Sequence, residues 1–266
     1  VQPKEHFDLG IVIIPKNNPK VSLDFIRNSC DKVAVMQEGP HLYFQDYPID
    51  KQFHYYNTLI EADWVYCHNK SDVNYYKGLG CEDVRVMRSL MIPEDLIPRN
   101  EWGNVTIIGG NFVSWYGGFD SYIIAQEFDE EIFAPSMGRK IDREEEMDIT
   151  HLPYMTWVEW INALSEFHIG VHMMPTHAAG TFTLNCAFHG IPCIGYKGLD
   201  TQEELHPYLS VNDGDIEKAK YLARELKNDT EFYDNCSKTC RKNYENSLYN
   251  EKNFVPYITD ILERLL

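Results

Sequence analysis

The stretch from Phe167 to Tyr196 constrains this chain most, because it reads as strand, helix and strand with little sequence between them. Phe167-His-Ile-Gly-Val-His-Met-Met174 is a short apolar run, as a parallel strand buried on both faces requires, and Pro175 stops it. A loop then leads to Gly180. From Thr181 to His189, small and apolar residues recur at helical spacing (Phe182, Asn185/Cys186, His189). Gly190 and Ile-Pro192 end that helix, and Cys193-Ile-Gly-Tyr196 restarts as a strand. The pattern predicts a βαβ unit. A helix that opens on Gly180 and Thr181 presents backbone N–H groups and the positive end of its dipole, which suits a phosphate or a sugar hydroxyl.

The same alternation runs along the rest of the chain. Strands are expected at Phe7 to Ile14, Lys32 to Met36, Trp64 to Cys67 and Val84 to Met87. Helices are expected around Ser22 to Ser29, Lys51 to Glu61 and Ser71 to Gly78, the last capped by Ser71. Ser89 to Pro98 carries two prolines and reads as a linker. A second series follows, with strands at Val105 to Ile108, Glu131 to Ala134, Ile149 to Leu152 and Tyr208 to Val211. Helices lie at Asp120 to Phe128 and Thr156 to Leu164, and three helical stretches close the chain. The expected fold class is α/β, with two Rossmann-like lobes on parallel sheets, residues 1–98 and 99–266. In such sheets ligands sit beyond the carboxyl ends of the strands, so the loops at 109–118, 134–140, 153–156 and 175–181 are expected to line an interlobe cleft.

Composition narrows the function classes. A chain of 266 residues can bury a substantial core. Its formal charge of -17, from 41 acidic against 24 basic residues, lacks the basic footprint that nucleic acid or an anionic membrane selects, so nucleic acid is not an expected partner. No apolar run approaches the roughly 20 residues of a membrane span, and the start does not resemble a signal peptide. Seven dispersed cysteines are an odd number for a disulfide framework and point to a reduced, cytoplasmic chain. Cys236 and Cys240 read as packing residues, and no Cys/His spacing indicates a metal, so neither a metal nor a cofactor is expected. The chain also lacks a G-x-S-x-G elbow, a phosphate-loop lysine motif and the dinucleotide fingerprint spacing.

The segment from His177 to Pro192 resembles the GT-B glycosyltransferases of the retaining, group-1 type. Their C-terminal lobe carries Glu, two residues, Gly, four residues, Glu, then Ala, three residues, Gly and Pro. Gly180 falls on the family's glycine, and Asn185, Ala187, Gly190 and Pro192 fit the remainder to within a residue. His177 stands at the first glutamate, which faces the transferred sugar, and Asn185 at the second, which faces the nucleotide ribose. The resemblance covers mainly the C-terminal lobe; the N-terminal, acceptor-side lobe is short for the family, either reduced or truncated.

What the resemblance implies is a transferase that moves a sugar from a nucleotide-sugar donor to a glycan or small-molecule acceptor. The Gly180, Thr181 and Phe182 backbone would hold the sugar-phosphate region. The glycine-rich loop Gly109 to Gly118, with Gly110, Asn111 and Tyr116, stands where the family places an Arg and a Lys on the diphosphate; Arg139 and Lys140 are candidate replacements. Tyr154 and the Met155 backbone would read the base, with core packing as the alternative for Tyr154. Trp157 and Trp160 read as core anchors. In the first lobe, Glu38 and His41 follow an apolar strand and are candidates to orient or deprotonate an acceptor hydroxyl, with His68 a lesser one. Two further readings stay open: a nucleotide-sugar epimerase on the same scaffold, and a non-catalytic relative that only binds.

Overall fold

The computed structural model describes residues 5–92, 103–113, 115–135 and 141–265. They fall into two compact units: one holds the chain up to Arg88 with 177–179 and the residues from 260 onward, the other holds 89–176 and 180–259.

The first unit begins with β1 (Phe7–Ile14), α1 (Leu23–Arg27) and β2 (Cys30–Gln37), then α2 (Ile49–Glu61), β3 (Trp64–Cys67), α3 (Val73–Gly78) and β4 (Val84–Val86). Its four strands lie in chain order and pair in parallel, with Ile11 opposite Ala34 and Val65 opposite both Val35 and Val84. Alternate strand residues (Val12, Ile14, Val33, Val35, Val65, Cys67) point to one face and meet Leu23, Tyr55, Leu59 and Tyr76 from the helices. Each such burial contributes roughly 1.5–3 kcal/mol for a large side chain. Ser71 is not a helix cap. The Asp72 N–H donates to the Asn69 carbonyl at 3.1 Å, which closes a tight 3₁₀ turn over Lys70–Asp72 and delays α3 to Val73.

The second unit runs through β5 (Val105–Ile108), α4 (Gly118–Ala125), β6 (Glu131–Ala134), β7 (Thr150–His151), α5 (Trp157–Leu164), β8 (Ile169–His172), α6 (Thr181–His189) and β9 (Cys193–Tyr196). It continues with α7 (Asp200–Leu205), β10 (Ser210–Val211), α8 (Ile216–Asn228), α9 (Thr230–Asn246) and α10 (Glu251–Leu265), whose last residues group with the first unit. The six strands are all parallel in the order β7-β6-β5-β8-β9-β10, the doubly wound arrangement. β8 is buried at every position, as its apolar sequence requires.

Helix α6 packs among β8, β9, α5, α7 and α9, and every residue from Phe182 to Ala187 is buried. Helix α8 instead buries one stripe, Ala219, Leu222, Ala223 and Leu226, and is capped by Asp215, which accepts from the Lys218 N–H. α7 is an addition to the expected elements: its sequence, Asp-Thr-Gln-Glu-Glu-Leu, has no apolar period to betray a helix. Trp157 is 42% exposed and donates its ring N–H to the Ile92 carbonyl, so it is not a core anchor, whereas Trp160 packs against Phe182. All seven cysteines are buried and none forms a disulfide. Among the described residues no helix is long and apolar enough to cross a membrane.

Candidate functional site

Strand order in the second sheet reverses at the β5/β8 pair, where consecutive chain segments leave to opposite sides. A doubly wound sheet opens its ligand crevice beyond the carboxyl ends of such a pair. The two loops that leave that end are 109–117, between β5 and α4, and 173–180, between β8 and α6. Among the described strands the first sheet has no such reversal, so the geometric case for a nucleotide rests on the second unit.

Both loops end on a left-handed glycine. Gly117 (φ +62°) precedes α4, and a methyl group there would lie 1.8 Å from the Met173 carbonyl oxygen. Gly180 (φ +65°) precedes α6, and a methyl group there would lie 1.9 Å from Thr201 Oγ1. Thr201 is held in turn by Thr183, whose hydroxyl lies 2.7 Å from the Thr201 hydroxyl and donates to the Gly180 carbonyl. The Ser121 hydroxyl of α4 ties the two loops together, donating to the Gly117 carbonyl and accepting from the Met173 N–H at 2.9 Å.

The two helix N-termini differ in charge. α4 carries Asp120 in its first turn, whose carboxylate already occupies the positive end of that dipole and accepts from the Tyr196 hydroxyl. α6 has no acidic residue in its first turn, and Thr181 is exposed there. An anion arriving at this end of the sheet is therefore favoured at α6.

Several expected residues are placed differently from a surface binding role. Asn111 is 3% exposed, and its Oδ1 accepts from the Val113 N–H within the same loop, so the side chain turns inward and the loop offers backbone instead. Gly110 packs against Tyr116, whose N–H donates to the Val113 carbonyl. The Phe182 side chain is core, in contact with His172 and Trp160. Asn185 is 2% exposed because α6 is enclosed on all sides. Tyr154 is 84% exposed, which corrects the core alternative for that residue; Met155 beside it is half-buried. Arg139, Lys140 and Ser136 lie outside the described residues.

Three buried polar atoms around these loops have no hydrogen-bond partner among the described residues: Asn111 Nδ2, His172 Nδ1 and Asn185 Oδ1. Such atoms are uncommon in native interiors and are usually satisfied by water or ligand. Burial pushes the His172 imidazole down to about 4, so it is neutral at pH 7. Neither loop contains Lys or Arg. A cation that the sequence reading passed over is Lys197, exposed one residue beyond β9 at the same end of the sheet; its signal is the motif Gly195-Tyr-Lys197 after a buried strand.

The first unit carries a separate polar cluster, centred on Asp72, which the sequence reading also missed. Asp72 is 4% exposed. Its Oδ1 lies 3.3 Å from His177 Nδ1 and 3.6 Å from His41 Nδ1, and its Oδ2 accepts from Asn69 Nδ2 at 3.2 Å. Asn69 Nδ2 also donates to the Ala178 carbonyl at 2.9 Å, and the Ser71 hydroxyl lies 3.1 Å from His177 Nδ1. The His41 ring stacks on Tyr75 at 3.9 Å. Burial alone would raise the Asp72 carboxyl, but the hydrogen bonds from His177 and Asn69, with the His41 imidazole beside them, hold it down at about 2. His41 and His177 are thus brought together. Glu38 is not with them: it is exposed, accepts from the Lys16 N–H and pairs with Lys16 Nζ at 3.4 Å. Burial lowers the pKa of His68. Among the described residues no three His, Cys, Asp or Glu side chains are placed to hold a metal ion.

Two Rossmann-like units on parallel sheets, the second with the doubly wound order, match solved structures of one architecture. The fold is GT-B. The crystal structure of TarM superposes with a TM-score of 0.69 at 10% identity, covering 94% of this chain and 54% of TarM. Anabaena HepE in complex with UDP and glucose gives 0.66 at 9% identity, covering 88% of this chain and 72% of HepE. An alpha-glucosyltransferase in complex with UDP-glucose and abasic DNA gives 0.65 at 15% identity, covering 96% of this chain and 80% of that one. This GT-B chain thus spans about half the length of TarM. No protein-family model matches the sequence, and no curated protein matches it.

Proposed function

We propose that this chain is a glycosyltransferase that takes a sugar from a nucleotide-sugar donor without a resident metal or cofactor and passes it to a glycan or small-molecule hydroxyl. The observation that carries the reading is the switch point of the second sheet, where the acid-free N-terminus of α6 stands beside a glycine-rich backbone loop. In this reading the α6 amides at Thr181 and Phe182 donate to the leaving diphosphate, and stabilising that developing charge is the main chemical demand of such a transfer. His177, three residues before Gly180, is assigned to the sugar by its place in the resemblance, and Tyr154 and Met155 to the base. The neighbours were solved with UDP or UDP-glucose in HepE, which supports a uridine donor as the first to try. A cytoplasmic setting is part of the proposal, supported by seven buried thiols without a disulfide.

The test is product analysis by NMR after incubation with UDP-glucose and a set of glycan acceptors. Release of UDP with a glucoside of retained configuration is the expected result. An epimerised nucleotide sugar would assign the epimerase reading, and nucleotide binding with no chemistry on any donor would assign the binding relative.

A further inference from the structure

The first sheet ends on β1, which is unlike the other edge strands of the chain. An open edge is a row of unpaired N–H and C=O groups that invites a further strand, and proteins ordinarily blunt it by shortness, charge, proline or a bulge. β7 and β10, the edges of the second sheet, are two residues each, and β4, the far edge of the first, is three residues with Arg85 at its centre. β1 has eight residues, holds one unbroken register from Phe7 opposite Cys30 to Ile14 opposite Gln37, and contains neither proline nor a basic residue. Among the described residues no strand pairs with its outer side. Val12 and Ile14 turn to the helix-covered face and pack with Leu23. Phe7, Ile11 and Ile13 turn to the other face and are 45%, 47% and 53% exposed.

We propose that β1 pairs with β1 of a second copy of this chain, antiparallel about a two-fold axis, so that two four-stranded sheets become one of eight strands. Charge along the strand selects the occupant and its direction. The amino end is acidic, with Glu5 and Asp8 exposed, and Lys16 lies just beyond the carboxyl end. Lys16 makes one contact, at 3.4 Å, with Glu38 of its own copy, and an ammonium has three protons to donate. Antiparallel pairing sets each acidic end beside the other copy's lysine, whereas parallel pairing sets Asp8 against Asp8. It also keeps the odd-numbered residues on one face, where Leu9, Ile11 and Ile13 of the two copies cover one another. The contact is isologous and consumes both open edges, so it closes at two copies and leaves only the short β4 edges outside.

Sedimentation velocity of the full chain from about 1 to 100 µM is the test, because one strand pair is at the small end of specific interfaces. The wild type is expected to pass from monomer to dimer over that range. Ile11→Lys, at an exposed position outside the core, is expected to raise the dissociation constant about tenfold or more. Asp8→Lys is expected to weaken the dimer about threefold or more, and Asp8→Lys with Lys16→Asp to recover it, a recovery that only the antiparallel direction allows. Phe53→Lys, 61% exposed on α2, is the control and should leave the dimer unchanged. A wild type that stays monomeric throughout overturns the proposal, as does growth past the dimer. A dimer dissolved by Phe53→Lys and not by Ile11→Lys overturns it too, and puts the interface on the outer face of α2. An unchanged Asp8→Lys dimer, or loss without recovery in the charge exchange, overturns the antiparallel pairing. Circular dichroism checks that Ile11→Lys is folded; should it fail, Ile13→Lys takes its place with the same expected result.

Discussion

Substituting Gly180 by alanine tests how the opening of α6 is held, and its cost can be worked from two separable sources. The first is conformational: φ of +65° places an alanine in the left-handed region, at a cost of about 1–2 kcal/mol. The second is steric, because the new methyl group would stand 1.9 Å from Thr201 Oγ1 in a packed interior, and overpacking of this kind costs roughly 1–3 kcal/mol. Gly180→Ala is therefore expected to destabilise the second unit by about 2–5 kcal/mol. Thr201→Ala alone loses one hydroxyl contact to Thr183, about 1 kcal/mol, since Thr183 keeps its bond to the Gly180 carbonyl. In the Thr201→Ala background the clash with Oγ1 is gone and only a tight 3.1 Å approach to Cβ of residue 201 remains, so Gly180→Ala should cost little beyond the backbone share, giving a favourable coupling of about 1–3 kcal/mol in a double-mutant cycle. Urea-dependent thiol labelling of Cys186, buried within α6, reads the opening of this unit without averaging it with the other. A Gly180→Ala chain within about 0.5 kcal/mol of wild type, or strict additivity in the cycle, refutes the reasoning.

Buried histidines make the second unit acid-sensitive. His172 and His206 are both pushed to about 4 by burial, whereas an unfolded chain takes up these protons near 6.5. Between those values the unfolded state binds more protons, so stability falls as pH drops, by up to about 1.4 kcal/mol per pH unit for each residue; urea midpoints at pH 7 and pH 5 should differ accordingly, and equal midpoints contradict this. Cys236, raised to about 12 by burial, should resist alkylation at pH 8 until the unit opens, as read by peptide mass spectrometry. Thr156→Ala removes the side-chain half of the capping box with Glu159 at the start of α5, leaving the backbone N–H bond to Glu159, and should cost about 1 kcal/mol in a thermal or urea melt, while a change below about 0.3 kcal/mol, as expected for a surface site, argues against a working cap.

What could be read from the sequence follows from how local each feature is. β3 and β9 and helix α6 fall where apolar runs and glycine punctuation place them, because a four-residue strand buried on both faces leaves little freedom in its composition. Asn111 and Asn185 look like surface polar groups in sequence, yet α6 is surrounded by other elements and the 109–118 loop folds back on itself, which are properties of packing. Trp157 fails for the converse reason: an aromatic on a helix implies burial only when a neighbouring element covers that face. The Asp72 cluster was the least legible part, since Asp72 and His177 are separated by 105 positions and meet only because the 177–179 segment joins the first unit. Ser71-Asp72 carries the sequence signature of a helix cap, and that reading concealed the carboxylate's bonds to histidine.

The central claim is that the N-terminus of α6 receives the diphosphate of a nucleotide sugar, and Thr181→Glu tests it most directly by calorimetric titration with UDP and UDP-glucose. A carboxylate in that exposed first turn favours the helix dipole by about 0.3–1 kcal/mol but competes with a phosphate for the same amides. The account predicts that the wild type binds UDP, and that Thr181→Glu is at least as stable in a melt while losing tenfold or more in affinity. Equal affinity in the two chains, or no binding to the wild type at millimolar nucleotide, contradicts it.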